Sequence, residues 1–84
     1  MEPEKLVQMA NQIQQFFATQ SRDRVAADVA DHLRKFWEPR MIERICAYLD
    51  ESGDGIAPAA REAVEMIAAE RKAQTTKGKP DKNA

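Results

Sequence analysis

Asp31-His32-Leu33-Arg34-Lys35-Phe36-Trp37-Glu38-Pro39-Arg40-Met41 sets the only tryptophan and the only histidine of the chain beside one of its three phenylalanines, then interrupts a helical pattern with a proline. Pro39 biases Glu38 away from helical backbone angles, while its own fixed φ suits the first turn of a new helix. The stretch therefore reads as a corner between two helices, with the turn at Trp37-Glu38. Its aromatic bulk also marks it as the place where the protein meets something else.

Upstream of the corner, a helix is predicted from about Arg22 to Trp37, with Ser21 or Asp23 able to cap it. At roughly 100° per residue, His32, Val25, Phe36, Val29, Leu33, Ala26, Trp37 and Ala30 span an arc of about 160°. One neighbouring helix does not need so wide a face. Downstream, a helix from Pro39 to about Asp50 carries Tyr48, Met41, Ile45, Leu49, Ile42 and Cys46 over a similar arc of about 160°. These two helices read as the central pair.

An earlier helix runs from Pro3 to about Ala18, with Glu2 and Glu4 complementing its dipole. Phe16, Met9, Ile13, Leu6, Phe17 and Ala10 fall within roughly 120°, and Gln8, Asn11, Gln12 and Gln15 lie opposite. Phe16 and Phe17 mark the two edges of this face, so one can look to the core and the other to a neighbour. After Ser52-Gly53-Asp54-Gly55, whose glycines tolerate positive φ, Pro58 opens a last helix reaching about Arg71. Its stripe of Ala60, Ala63, Val64 and Ile67, with Met66 to one side, is narrow and small, which predicts a peripheral helix. From Gln74 on there is no large apolar residue, a composition that predicts disorder.

The fold class is all-α: a small bundle of three to four short helices over residues 1–71, followed by a disordered basic tail over 72–84. With 84 residues, 36 of them hydrophobic but 14 of those alanine, the core is small, and such a chain gains from docking on a partner. Residues 1–70 hold eight basic and thirteen acidic groups, and residues 71–84 five basic and one acidic. The acidic body is a poor match for phosphate backbones, so nucleic-acid binding would rest on the tail. One cysteine, Cys46, cannot form an internal disulfide, and no apolar run suggests a signal peptide or a membrane span. The expectation is a cytoplasmic protein.

Several patterns that carry chemistry elsewhere fail here. Asp50, Ser52, Asp54 and Gly55 occupy the first, third, fifth and sixth positions of an EF-hand loop, but the twelfth is Arg61 rather than glutamate and the ninth is Pro58. His32 and Cys46 lie on different helices with no further Cys or His to complete a nucleophilic or metal site. Asp28 and Asp31 read as a solvated face. Arg34, Lys35, Arg40 and Arg44 gather near Pro39 and could imitate a helix-turn-helix. The Phe36-Trp37 pair suits protein contact better, since Trp and Arg are favoured interface anchors. The residues singled out for partner contact are His32, Phe36, Trp37, Pro39, Arg40, Met41 and Phe16. No catalytic, cofactor-binding or metal-binding residue is assigned.

Two stretches together, Lys5-Leu6-Val7 through Met9-Ala10-Asn11-Gln12-Ile13 to Phe16-Phe17, and Ala30-Asp31-His32-Leu33-Arg34 through Phe36-Trp37-Glu38-Pro39-Arg40-Met41, resemble the delta subunit of soluble NAD-dependent formate dehydrogenases. Gly55-Ile56, Pro58 and Ala63-Val64 resemble that family's last helix, so the resemblance covers about residues 4–67. It implies a non-catalytic subunit of a molybdenum or tungsten enzyme that oxidises formate and passes electrons through iron-sulfur clusters and flavin to NAD. The pterin metal, the clusters, FMN and NAD would belong to other subunits. The implied role is docking on the large catalytic subunit in support of assembly, stability or maturation of the molybdenum site. The alternative is a free-standing helical regulator that binds nucleic acid or another protein.

Overall fold

A computed structural model describes residues 2–20 and 22–78. Four helices make up the fold: α1 (Pro3–Gln20), α2 (Val25–Phe36), α3 (Pro39–Glu51) and α4 (Pro58–Gly78), with a single 3-10 turn at Arg22–Arg24 before α2. No strand occurs among the described residues. The chain is all-α, as its periodicities predict.

The corner forms where Pro39 requires it. Trp37 leaves the helical region with ψ 141° and Glu38 follows with ψ 154°, while the Trp37 N–H still donates to the Leu33 carbonyl at 2.9 Å. Pro39 then takes the first position of α3, where a missing N–H leaves no hydrogen bond unmade. The start of α2 departs from the expected one. Its N-cap is Arg24, with no side-chain capping bond. Asp23 falls inside the 3-10 turn rather than at the cap, and Ser21 lies outside the described residues.

One core joins all four helices: Leu6, Val7 and Ala10 from α1, Val29, Ala30 and Leu33 from α2, Ile42 and Ile45 from α3, and Ala60, Ala63, Val64 and Ile67 from α4, with Trp37 and Ile56 from the connections. The centre of this arrangement is α4, which lies against each of the other three and most extensively against α2, whereas α2 and α3 make no extended contact. The reading of α2 and α3 as the central pair and of α4 as peripheral is thus corrected. Small side chains are the reason. Ala60 and Ala63, both fully buried, let neighbouring backbones approach closely, so a narrow stripe is covered on both flanks.

The wide face of α2 is shared between α1 on one side and α4 on the other. Across the α2–α4 contact Arg34 donates from Nε to Glu70 Oε1 at 3.0 Å and from Nη2 to Oε2, a two-pronged pair at the surface. Glu70 holds the guanidinium pKa above its ordinary value chiefly through that hydrogen bond. The helix also runs seven residues beyond the expected end near Arg71, to Gly78. Past Arg71 the chain meets no glycine or proline before Gly78, and Lys72, Ala73 and Gln74 are good helix formers. The remainder of the predicted disordered tail, residues 79–84, lies outside the described residues.

Between α3 and α4 the chain turns on Gly53, whose φ of +70° and buried position explain the glycine. A Cβ there would stand 2.8 Å from Arg61 Nη1 and 3.1 Å from Leu49 Cδ1. Arg61, the residue that spoils the calcium-loop pattern, turns back into the loop and donates from Nη1 to the Gly53 carbonyl at 3.2 Å. The loop is fastened to α1 by Asn11, which donates from Nδ2 to the Gly55 carbonyl at 2.9 Å and accepts from the Ala57 N–H at 2.9 Å. One turn on, Gln14 Oε1 accepts from the Ala60 N–H at 2.8 Å. The first helix therefore caps the fourth.

Candidate functional site

On the outer side of the α1–α2 seam, helical spacing sets one column of side chains on each helix. From α1 come Met9, Ile13, Phe16 and Phe17; from α2 come His32 and Phe36, and Trp37 closes the end. With Gln12 they line a shallow depression of about 360 Å³. The rings form a continuous chain. Phe16 and Phe17 have centroids 5.1 Å apart at 77°, Phe17 and His32 6.0 Å apart at 67°, and His32 and Phe36 4.7 Å apart at 38°. The first two contacts are edge-to-face, which sets the positive rim of one ring against the negative face of the next.

Burial divides these rings by role. Trp37 is 7% exposed and belongs to the internal core, with only its margin reaching the depression, while Phe17 is half-buried against that core. Phe16 and Phe36 are 59% and 69% exposed. Thus of the two edge phenylalanines of α1, Phe17 turns inward and Phe16 outward. An isolated exposed apolar residue is ordinary, but two large ones on one aromatic column that continues into the core form a sticky surface.

The seven residues singled out from sequence separate in space. Phe16, His32, Phe36 and the margin of Trp37 come together on the α1–α2 seam. Arg40 and Met41 line a different depression of about 420 Å³ along α3, with Glu38, Glu43, Arg44 and Ala47. Pro39 is exposed at the start of α3. The basic group around the corner is divided as well, since Arg34 is held by Glu70 and Lys35 Nζ lies 3.2 Å from Asp31 Oδ2. Asn11 and Gln14, which hold the α3–α4 loop and the start of α4, were assigned no role by periodicity. On the α1 wheel Gln14 lies roughly 100° and Asn11 roughly 160° from the centre of the apolar arc, so both look solvated until the partner backbone is known.

His32 and Cys46 are not brought together. His32 lies between the Phe17 and Phe36 rings, whereas Cys46 lines a groove of about 790 Å³ between α3 and α4. Among the described residues no three His, Cys, Asp or Glu side chains converge so as to hold a metal ion. The sole cysteine supplies one thiol where an iron-sulfur cluster takes several thiolates, so this chain cannot by itself provide a full cysteine ligand set for such a cluster.

Burial pushes the Cys46 thiol above its ordinary range, with Arg71 opposing and Asp50 adding to the shift. Below the pKa of the unfolded thiol, about 8.5, both states keep the proton and the group is silent. Above it the unfolded chain releases the proton while the folded chain retains it, so the contribution of Cys46 to stability falls as pH rises through the alkaline range. The rate of alkylation by iodoacetamide, followed against pH, is accordingly expected to rise with a midpoint above that of a free cysteine peptide. A midpoint at or below the peptide's would contradict the burial.

No helix among the described residues is long and apolar enough to cross a membrane. Comparison with curated proteins and with solved structures gives no match. Residues 5–64, which include the aromatic column, the Pro39 corner, the Asn11-fastened loop and the first two turns of α4, match the NADH-dependent formate dehydrogenase delta subunit FdsD, and the chain belongs to that family.

Proposed function

We propose that this chain is a non-catalytic subunit that docks on the large catalytic subunit of an NAD-dependent formate dehydrogenase and supports its assembly, stability or molybdenum-site maturation. The observation that carries the reading is the pairing of Phe16 and Phe36, the two exposed large hydrophobic residues of the described chain, on one aromatic column. A partner that covers this column removes apolar area from water at about 25 cal/mol per Å². In this reading the molybdenum or tungsten pterin, the iron-sulfur clusters, FMN and NAD sit in other subunits, and this chain supplies recognition.

Affinity purification of the tagged chain from cells that express the complex is expected to recover the large subunit; recovery of the chain by itself under gentle conditions would overturn the proposal. Formate-dependent NAD reduction is expected to fall when the chain is deleted. Metal analysis of the large subunit then separates two roles. Metal retained means structural support, and metal lost means maturation. A salt-dependent shift of DNA or RNA would instead favour a nucleic-acid regulator, a reading that the acidic body and the ion-paired Arg34 and Lys35 count against.

A further inference from the structure

The charges on α3 run against the helix dipole. Its first turn holds Arg40 and no acidic residue, and its last turn holds Asp50 and Glu51 and no basic one. A helix N-terminus favours negative side chains and a C-terminus positive ones, so within α3 both ends carry the unfavourable sign. The inner face of the helix packs on α1 and α4. On the outer face Arg40, Arg44, Ala47 and Glu51 are all exposed and fall within an arc of roughly 60°. This face is basic in its first half and acidic at its end, with a methyl group between.

Arg40, Glu43, Arg44 and Ala47 line the depression along α3. They stand at i, i+3, i+4 and i+7, the kind of four-residue hole that receives a side chain from a facing helix. The centre of the hole lies about 5 Å before Ala47 along the helix axis, and Glu51 lies about 6 Å after it. With a second α3 set antiparallel across a two-fold axis at Ala47, Glu51 of each copy therefore stands over the hole of the other, between Arg40 and Arg44. Glu43, at the edge of the hole, is the one opposing charge against two arginines.

We infer that the outer face of α3 is a self-complementary contact and that its occupant is a second copy of this chain, packed antiparallel about Ala47. The face carries both halves of the match, and a two-fold axis brings them together twice. A foreign partner would have to carry the reverse order of charges, whereas an antiparallel copy carries it by symmetry. The copy also answers the dipole. Arg40 and Arg44 come to the C-terminal end of the facing helix and Glu51 to its N-terminal half, so each charge has the sign that the neighbouring helix end favours. A parallel copy would set like charges together. Because α3 has 13 residues and is only about 20 Å long, the contact falls short of the roughly 800 Å² per partner of a standard interface. The dimer is accordingly a weak one, held by exposed charges that salt screens. It leaves the aromatic seam out of the contact and does not rest on the proposed function.

Sedimentation equilibrium of the full chain is expected to show a monomer–dimer equilibrium that weakens tenfold or more in about 1 M salt, where the screening length is about 3 Å. Arg44→Glu and Glu51→Arg change exposed side chains, and circular dichroism is expected to show both variants folded. Each is expected to weaken self-association tenfold or more, because each sets like charges across the axis. An equimolar mixture of the two is expected to form a heterodimer about as well as the unaltered chain pairs with itself, since opposite charges then meet again. In a Cys46→Ser background, Ala47→Cys is expected to form a disulfide-linked dimer at least tenfold faster than Gln12→Cys on α1. A monomer at every concentration and salt would overturn the proposal. So would a dimer that both charge reversals leave intact, and one lost in Phe36→Asp would place the contact at the aromatic seam instead. Recovery of the large subunit tests the subunit role separately, so either reading can fail alone.

Discussion

Trp37→Ala is expected to destabilise the free chain by about 3 to 5 kcal/mol, the range for removing a buried aromatic side chain. A chain of this size has roughly 4 to 13 kcal/mol of stability in total, so the variant loses a large share of its margin. Trp37 sits where α2 ends, with its ring in the core shared by all four helices, and truncation leaves a cavity at a point that backbone hydrogen bonds and Pro39 prevent from collapsing. Urea unfolding monitored by circular dichroism measures the effect. Phe36→Ala, one residue earlier but 69% exposed, is expected to stay within about 0.5 kcal/mol of the unaltered chain. The reverse pattern, a stable Trp37 variant and an unstable Phe36 variant, would mean that the tryptophan faces the partner and the phenylalanine faces the core.

The second large effect is expected from the fastening of α4 to α1. Asn11→Leu leaves the part-buried Ala57 N–H without its acceptor, at about 1 to 3 kcal/mol, while the exposed Gly55 carbonyl loses its donor but can turn to water. Gln14→Met removes the acceptor for the Ala60 N–H, a helix-capping loss of about 1 kcal/mol. Together they are expected to lower stability by about 2 to 4 kcal/mol, with hydrogen exchange faster at residues 57–60 than in the rest of α4. If the double variant unfolds with an unchanged urea midpoint, the cap contributes nothing and the loop holds itself.

Arg40 provides a contrast. Singled out from sequence for partner contact, it lies exposed along α3 in a depression with Glu38, Glu43 and Arg44, away from the aromatic seam. Arg40→Ala is expected to leave stability within about 0.5 kcal/mol and, if docking runs through the seam, to leave large-subunit affinity within twofold. Loss of affinity in Arg40→Ala would extend the interface onto α3.

The helices themselves were legible. Period 3.6 in the apolar pattern located α1, α2 and α3 to within a few residues, and proline chemistry located the corner, because both depend on neighbours in the chain. What could not be read was which helix sits in the middle. The stripe of α4 looked too small to be central, yet alanine is what a crowded position selects, and crowding is a property of how helices pack. The same holds for Asn11 and Gln14, whose work depends on a backbone 46 residues away.

The aromatic surface divides along this line. Local sequence determined that Phe16 and Phe17 would mark the two edges of the α1 face and that His32, Phe36 and Trp37 would share the wide face of α2, since helical spacing alone sets those angles. Only tertiary structure decided which edges meet. Once α4 takes the inner side of α2, the outer edges of α1 and α2 are left side by side. Their rings then close into one column, with Trp37 sealed beneath it and Phe16 and Phe36 open above. A helix can bury only the part of its face that its neighbours reach, and what they leave uncovered is available for a partner.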